Sequence, residues 1–262
     1  PRFDHEYVAH EYKGPINYVN NVVYNWGGNS TYGGETASEN ELFHINMIGN
    51  YYKAGPNTSN SSKNRLMQLS SICSNCNKYH GISSNVAYPA KLYLEDNIVN
   101  GNNADWNNIV QDSKETRDTK SMAKLNSPWI EGLTTLNFTE SAVNAYNSVL
   151  SYAGASLMRD PVDERIVNDV KNGTGKLIDT VNDTPGYPTL NAGTAITDTD
   201  KDGMPDEWEQ EQMSVLGVTG IAISDFKPNA YNLSSKYTNL EVYMNSLVQN
   251  TFPTGAKATD IK

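Results

Sequence analysis

The chain has 262 residues, of which 37% are hydrophobic, and a formal net charge of −10. This length suffices for one sizeable core, and the acidic balance argues against a nucleic-acid partner, whose phosphates require a basic patch. No apolar run is long enough to span a bilayer, and the many Asn, Ser, Thr, Gly and Tyr residues suit short strands and turns better than a doubly wound α/β enzyme.

Three short segments in the first hundred residues resemble one another. Each has an Asn, two or three mostly apolar residues and a second Asn, and the segments start at Asn21, Asn46 and Asn97. The first two starts lie 25 positions apart and the third lies 51 further on, about two periods. This spacing predicts a coiled solenoid in which equivalent strands stack and the asparagines align at one corner. Chance repetition in an Asn-rich chain is the alternative.

Short apolar strands are predicted over residues 16–24, 43–52 and 91–99. The polar stretches between them run over residues 27–41, 55–65 and 74–85. Structureless stretches of this length are uncommon in a compact domain, and binding is their usual purpose. We therefore expect these three stretches to form binding loops.

Cys73 and Cys76 form a CxxC motif around a Ser-Asn pair. No second CxxC is present in the sequence to complete a zinc site, and Ser-Asn favours a turn rather than the helix start of a thioredoxin-like motif. The motif therefore predicts either a local disulfide or two free thiols.

After about residue 125 the pattern changes to helical spacing. Thr139 precedes a run of apolar residues spaced for one helix, namely Ala142, Val143, Tyr146, Val149 and Leu150. A second helix is signalled by Asp160 as N-cap, Pro161 as its first residue and Gly173 just beyond its end. We expect these helices to pack outside the solenoid or to cover its end.

Residues 198–209 carry the strongest local motif, D-x-D-x-D-G-x-x-D-x-x-E. Calcium takes six to eight oxygen ligands, and alternate residues of a turning loop can supply them. The predicted ligands are the backbone carbonyl of Met204 and five carboxylates, those of Asp198, Asp200, Asp202, Asp206 and Glu209, while Gly203 permits the sharp turn. We predict a structural Ca²⁺ site that fastens the C-terminal extension, with a solvated acidic loop as the alternative.

The first part of the chain contains four distinct motifs, at residues 1–3 (Pro-Arg-Phe), 20–26 (Asn-Asn-Val-Val-Tyr-Asn-Trp), 32–35 (Tyr-Gly-Gly-Glu) and 50–56 (Asn-Tyr-Tyr-Lys-Ala-Gly-Pro). They resemble the pectate lyases of polysaccharide lyase family 1, in the form found in Bacteroidetes-type bacteria. Residues 163–175 and the acidic loop, which is of the thrombospondin-type-3 or EF-hand-like kind, resemble the C-terminal region of that group. The resemblance covers most of the chain, with gaps at about 60–90 and 105–155.

The resemblance implies a right-handed parallel β-helix that cleaves polygalacturonate by β-elimination. A base removes the C5 proton of a uronate, the C4 oxygen leaves, and calcium on the uronate carboxylate acidifies the proton. The family's base is the first arginine of a motif R-x-P-R, whose last two positions match Pro1 and Arg2. We therefore expect the base and the ligands of the catalytic calcium upstream of Pro1, in a longer gene product or in an N-terminal fragment that stays bound.

Four residues are predicted to bind substrate. Arg2 can hold a uronate carboxylate in a two-pronged hydrogen bond, with a surface ion pair as the alternative. Tyr32 and Glu35 belong to a glycine-rich segment that can line a cleft, where a tyrosine stacks on a sugar face; an ordinary turn is the alternative. Lys53 can contact an anionic substrate, although a lone lysine is usually just solvated.

The histidines and tryptophans are not assigned to a metal-binding or sugar-binding site. The four histidines show no metal-binding spacing, and the four tryptophans are expected to pack in the core, with Trp208 anchoring the acidic loop.

The predicted fold is all-β, with parallel β-helix coils over residues 1–125, a helical or irregular segment over 126–190 that packs on them, and a C-terminal extension with the calcium loop over 191–262. The predicted function is a secreted, periplasmic or cell-surface polysaccharide lyase that acts on pectate with Ca²⁺ as its cofactor. A non-catalytic β-helix that binds acidic polysaccharide or forms an extracellular assembly is the second hypothesis. Hydrolysis by paired carboxylates fits poorly, because the strand region carries no Asp-rich catalytic string.

Overall fold

The computed structural model describes residues 1–3, 15–36, 44–72, 78, 88–130 and 139–249. The chain forms two compact units. The first comprises Pro1–Ser151 with Glu164–Thr184, and the second comprises Tyr152–Asp163 with Pro185–Lys262. Within the described ranges, no helix is both long and apolar enough to cross a membrane.

The first unit contains the strands. In chain order they are β1 (Arg2–Phe3), β2 (Ile16–Val19), β3 (Val22–Tyr24), β4 (Tyr32–Gly33), β5 (Glu35–Thr36), β6 (His44–Ile48), β7 (Tyr51–Lys53), β8 (Met67–Leu69), β9 (Tyr88–Pro89), β10 (Lys91–Glu95), β11 (Asn97–Val99), β12 (Asn102–Ala104) and β13 (Ile109–Gln111). Sheet A has the order β1-β4-β8-β13, sheet B the order β2-β6-β10 and sheet C the order β3-β7-β11-β12. All pairings in these sheets are parallel except that of β12 with β11, and β5 pairs antiparallel with β9.

Three successive stretches of the chain supply these sheets in the same order. The first gives β2, β3 and β4, the second β6, β7 and β8, and the third β10, β11 and β13, each to sheets B, C and A in turn. Parallel sheets fed by successive turns of the chain fit the predicted β-helix-like fold.

Each predicted apolar strand is interrupted by a corner. Asn20, Gly49 and Asp96 have left-handed backbone angles, with φ of 57°, 62° and 47°. Gly and Asn, and to a lesser degree Asp, adopt this conformation most readily, so the chain bends there from sheet B into sheet C. The predicted strands 16–24, 43–52 and 91–99 are therefore each two strands.

The predicted alignment of Asn21 with Asn46 is wrong by four positions. Strand β7 places Tyr51 beside Val22 and Ile98, so the stacked asparagines are Asn21, Asn50 and Asn97. Nδ2 of Asn21 donates to Oδ1 of Asn50 at 3.0 Å, and Nδ2 of Asn50 donates to Oδ1 of Asn97 at 2.9 Å.

Asn46 lies one strand earlier, in sheet B. Its Nδ2 donates to Oδ1 of Asn17 at 2.8 Å, and the register pairs the same two residues. The first two coils therefore repeat after 29 residues rather than 25, because Asn17 and Asn21 both have an asparagine 29 positions later.

The core of the first unit lies between its sheets. Its fully buried side chains come from strands of all three sheets and include Ile45, Met47, Tyr52, Met67, Leu69, Leu92 and Ile109, together with Leu66 just before β8. Trp26 is buried in the same core, and its Nε1 donates to the carbonyl of Ser62. The prediction that Trp26 is a packing residue is therefore confirmed.

The described helices are α1 (Thr119–Ala123), α2 (Ala142–Tyr152), α3 (Pro161–Asn172), α4 (Asp206–Val215) and α5 (Asn239–Val248). The start of α3 is as predicted: Oδ1 of Asp160 accepts from the backbone N–H groups of Val162 and Asp163 at 2.8 and 2.9 Å. Gly173 follows the helix with φ of 69°, as a C-terminal cap requires. Both predicted helices are confirmed.

The segment that contains α2 packs on the strands of the first unit. Asn20 and Glu140 exchange two hydrogen bonds, of 2.7 and 2.9 Å, and the ring of Tyr146 lies 4.5 Å from that of Tyr51 in sheet C. These contacts agree with a helical segment outside the coils, while the predicted boundaries at residues 125 and 190 stay a prediction.

The second unit has a small core of its own. Met204, Met213 and Phe226 are buried in it, and Trp208 packs against them. The indole of Trp208 lies 5.0 Å from the ring of Tyr243 in α5. Trp208 therefore attaches the acidic loop to this small core, in keeping with its predicted anchoring role.

The three predicted loops have different outcomes. Residues 55–65 contain neither helix nor strand, as expected. The stretch 27–41 contains the two short strands β4 and β5, so the prediction of a loop there is wrong for residues 32–36. Apart from Lys78, the stretch 74–85, with Cys76, lies outside the described residues, as do Cys73 and the histidines at positions 5, 10 and 80.

Candidate functional site

One row of side chains runs across the outer face of sheet A. The register places Arg2 beside Tyr32 and Tyr32 beside Gln68. Successive residues of a strand point to opposite faces, and the next residues of these strands, Phe3 and Leu69, are buried in the core. The row Arg2, Tyr32 and Gln68 therefore faces away from the core.

The structure brings together three of the four predicted substrate-binding residues. Nη2 of Arg2 lies 3.0 Å from Oε1 of Glu35, and the guanidinium carbon lies 5.4 Å from the centre of the Tyr32 ring. Glu35 is only 3% exposed, whereas the Arg2 side chain is 30% exposed. The buried carboxylate orients an arginine that still reaches the surface, and this arrangement suits the binding of a ligand carboxylate.

Lys53 lies apart from this cluster, in sheet C. Its Nζ donates to the hydroxyl of Tyr146 at 3.2 Å and to the backbone carbonyl of Lys171 at 2.9 Å. These contacts hold the ammonium against the helical segment. A substrate contact by Lys53 stays a prediction, and it would belong to a different face of the unit from that of Arg2.

The glycines of the Tyr-Gly-Gly-Glu segment serve strand packing. A Cβ on Gly33 would lie 2.2 Å from the carbonyl oxygen of Phe3, and its φ is 108°. The amide of Gly34 donates to that same oxygen at 2.7 Å. Among the described residues, strand β1 is thus the neighbour that requires glycine at position 33. The sequence had instead suggested that these glycines let a ligand approach the backbone.

A second cluster lies in the acidic loop of the second unit. Asp198, Asp200 and Asp202 each bring one carboxylate oxygen within 4.8 Å of the other two. Gly203 has φ of 96° and Lys201 has φ of 60°, so the backbone turns sharply and brings alternate side chains inward. The three carboxylates converge as the predicted coordination scheme requires.

Glu209 adds a buried carboxylate to this cluster. It is fully buried, and neither of its carboxylate oxygens has a hydrogen-bond partner in the described part of the chain. The same holds for one oxygen each of Asp200 and Asp202. Burial, and then repulsion by the neighbouring aspartates, raises the pKa of Glu209 to about 7. Burial likewise raises the pKa of Asp202.

Buried anions without partners are strongly unfavourable, and a divalent cation among them would remove that penalty. The converging oxygens of Asp198, Asp200 and Asp202 therefore fit a metal ion, and the role of Glu209 as a further ligand stays a prediction.

Asp206 has a different task from these four. Its two carboxylate oxygens accept from the backbone N–H of Thr199 at 2.8 Å and from the Thr199 hydroxyl at 2.6 Å. The side-chain hydrogen bond from Thr199 lowers the pKa of Asp206. Asp206 thus closes the loop on itself at the start of α4, and a role as metal ligand stays a prediction. Met204 has its side chain in the small core, and the role of its carbonyl also stays a prediction.

Sequence reasoning missed Gln68 and Arg65 on the outer face of sheet A. Nη1 of Arg65 donates to Oε1 of Gln68 at 2.9 Å. The alternation of Gln68 with buried Met67 and Leu69 was the available signal for an outward position. Among the other candidates, His44 stacks on Trp129 with ring centres 3.7 Å apart, which suits a packing role for both.

Comparison with known proteins gives relatives of one kind. The chain is 36% identical over 244 residues to probable pectate lyase C of Aspergillus fumigatus, a match that covers 92% of this chain and 50% of that protein. It is 35% identical over 243 residues to the probable pectate lyase C of Neosartorya fischeri, with the same coverage. The corresponding protein of Emericella nidulans is 32% identical over 248 residues. The chain is similar to one half of a pectate lyase.

This similarity to pectate lyases extends over nearly the whole chain and supports a pectate lyase family. The chain spans about half the length of the curated pectate lyases that it matches. No family model matches the chain.

Proposed function

We propose that this chain is part of a pectate lyase, which cleaves polygalacturonate by β-elimination on a right-handed parallel β-helix. The observation that carries the proposal is the identity of up to 36% with probable pectate lyases over 92% of the chain. The order in which successive stretches feed sheets B, C and A agrees with it. Within the lyases we propose family 1 of the Bacteroidetes type, on the motifs at residues 1–3, 20–26, 32–35 and 50–56.

Arg2 is the residue of this chain that we assign to the substrate. A guanidinium binds a uronate carboxylate through two parallel N–H···O bonds, and the ion pair with Glu35 restricts the orientations that Arg2 can adopt. Tyr32 lies beside it in the same outward row, where its ring can cover the apolar face of a sugar. Lys53 is a second cation for an anionic chain, on another face. The proton-abstracting base is not assigned to any residue of this chain.

The metal ion that we propose for the acidic loop is Ca²⁺. Asp198, Asp200, Asp202 and Glu209 offer oxygen ligands only, and calcium prefers such hard ligands in flexible loops. The ion would stabilise the second unit rather than take part in catalysis. Calcium bound together with the substrate would supply Lewis-acid chemistry that makes the C5 proton more acidic.

An enzyme that degrades pectate meets its substrate outside the cytoplasm. We therefore propose that the protein is secreted, periplasmic or attached to the cell surface, with acidic polysaccharide as its partner. The net charge of −10 is consistent with a ligand held by a few local cations rather than by a broad basic surface.

The test is an elimination assay on the protein as its gene encodes it. With polygalacturonate and Ca²⁺, the unsaturated product should give a steady rise in ultraviolet absorbance that a chelator abolishes. Arg2→Gln should lower kcat/KM about 10- to 100-fold, because it removes one or two charge-assisted hydrogen bonds to the substrate. Arg165→Gln, which removes an exposed charge on α3, should have no effect. Binding of polygalacturonate without any unsaturated product would instead favour a non-catalytic β-helix.

A further inference from the structure

Arg65 contacts the outward row of sheet A at Gln68. We propose that Arg65 and Gln68 form a second anionic subsite, which binds a uronate carboxylate farther along the same polysaccharide chain. This inference rests on the proposed function and adds to it a position on sheet A at which the substrate is held.

The register fixes the spacing between the two arginines. Arg2 on β1 lies beside Tyr32 on β4, which lies beside Gln68 on β8. Neighbouring strands are about 4.8 Å apart, so Gln68 is about 10 Å from Arg2 across the sheet. Nη1 of Arg65 donates to Oε1 of Gln68 at 2.9 Å. The Arg65 guanidinium therefore lies beside Gln68, the neighbour of Tyr32 on the outer face of sheet A.

The guanidinium of Arg65 is held by neutral groups. Besides Gln68, its Nη1 donates to Oδ1 of Asn29 at 2.5 Å. Within the part of the chain that the structure describes, no carboxylate pairs with Arg65, whereas Arg2 pairs with Glu35 and Arg117 with Glu115. Two amide oxygens therefore orient this arginine without neutralising its charge.

Arg65 also has hydrogen-bonding capacity to spare. Its Nε is buried with no partner among the described residues. Its Nη2 makes no hydrogen bond in these ranges either, and the residue as a whole is only half-buried. Burial lowers the pKa of Arg65, because removal from water disfavours the charged form. An anion bound at Nη2 would restore the missing stabilisation.

The surroundings favour an acidic sugar chain as the ligand. A polyuronate carries one carboxylate per sugar and presents apolar C–H faces between them. The outer face of sheet A offers the complementary groups, with the Arg2 guanidinium over the Tyr32 ring and the Arg65 guanidinium beside Gln68. Nucleic acid is disfavoured by the net charge of −10.

The test compares substrates of different length in the elimination assay. With hexagalacturonate, Arg65→Gln should raise KM about tenfold and leave kcat nearly unchanged, because the lost contact lies away from the reacting bond. With digalacturonate, whose two adjacent carboxylates lie too close together to reach both arginines across about 10 Å, the variant should match the parent protein. Arg65→Lys, which keeps the charge but loses the planar fork, should raise the KM for hexagalacturonate by less than Arg65→Gln does.

Arg165→Gln is the matched control, and thermal unfolding checks that each variant is folded. Equal KM values for hexagalacturonate in Arg65→Gln and Arg165→Gln would overturn the subsite while leaving the lyase in place. A parent protein that produces no unsaturated sugar from any oligogalacturonate would overturn the proposed function, and the subsite with it.

Discussion

Replacing Glu209 by Gln should have opposite effects on the second unit with and without calcium. In the metal-free protein near pH 8, the buried carboxylate of Glu209 has no hydrogen-bond partner among the described residues and is repelled by Asp198, Asp200, Asp202 and Asp206. A neutral amide of the same shape removes that repulsion. Metal-free Glu209→Gln should therefore be more stable than the parent, whereas the calcium-bound parent should be more stable than the variant.

The pKa of Glu209 sets the size of the effect. Its value of about 7 exceeds the ordinary 4.5 by about 2.5 units, and each unit corresponds to about 1.36 kcal/mol. The carboxylate thus destabilises the metal-free unit by about 3 kcal/mol. Because the folded pKa is the higher one, this penalty is absent below about pH 4.5, grows as the pH rises and is complete above about pH 7. Calcium at 100 times its Kd should add about 2.7 kcal/mol of stability to the parent alone.

Hydrogen exchange of peptides from α4, together with thermal unfolding, measures both effects in EDTA and in calcium. Asp206→Asn is the control, because the Asp206 oxygens already accept from Thr199; it should keep the full calcium response. Glu209→Gln with an unchanged calcium response would refute the assignment of Glu209 as a ligand. An equal loss of response in Asp206→Asn would show that Asp206 is a ligand too.

Two further predictions concern the strands. Asn50→Ala removes four side-chain hydrogen bonds from the asparagine stack and should lower the free energy of unfolding by about 4 kcal/mol in a denaturant titration. The control Asn102→Ala, at an exposed position, should lower it by less than about 1 kcal/mol, and equal losses would contradict the role of the stack. Gly33→Ala places a Cβ against the Phe3 carbonyl and should destabilise by more than about 3 kcal/mol, whereas Gly101→Ala, which has a positive φ but open space, should cost about 1 kcal/mol.

The features that sequence predicted well are those encoded within a few residues. The cap of α3 depends only on Asp160, Pro161 and Gly173, because a helix end is satisfied by its immediate neighbours. The convergence of Asp198, Asp200 and Asp202 likewise follows from spacing within one turn. Asp206 shows the limit of that reasoning, since Thr199 competes for the same carboxylate and spacing does not reveal the competitor.

The register of the coils could not be predicted in this way. Asparagines occur at positions 17, 21, 25, 46 and 50, so a shift of 25 residues pairs two asparagines with two others just as the true shift of 29 does. The choice between them depends on which apolar side chains meet in the core, and that is a contact between distant residues. The subsite at Arg65 was missed for a similar reason, because the turns that lead from Lys53 to β8 decide where its guanidinium lies.

The antiparallel strand β12 determines where the stack of coils ends. It occupies the free hydrogen-bonding edge of β11 in sheet C. In sheet B, Lys124 forms a bridge to Leu92 of β10, and the amide of Leu125 donates to the Leu92 carbonyl. An open sheet edge has unpaired N–H and C=O groups with which strands of other chains can pair. In sheet C the antiparallel β12 thus becomes the edge strand, and no parallel strand of a further coil or of another chain can pair with β11 on that side.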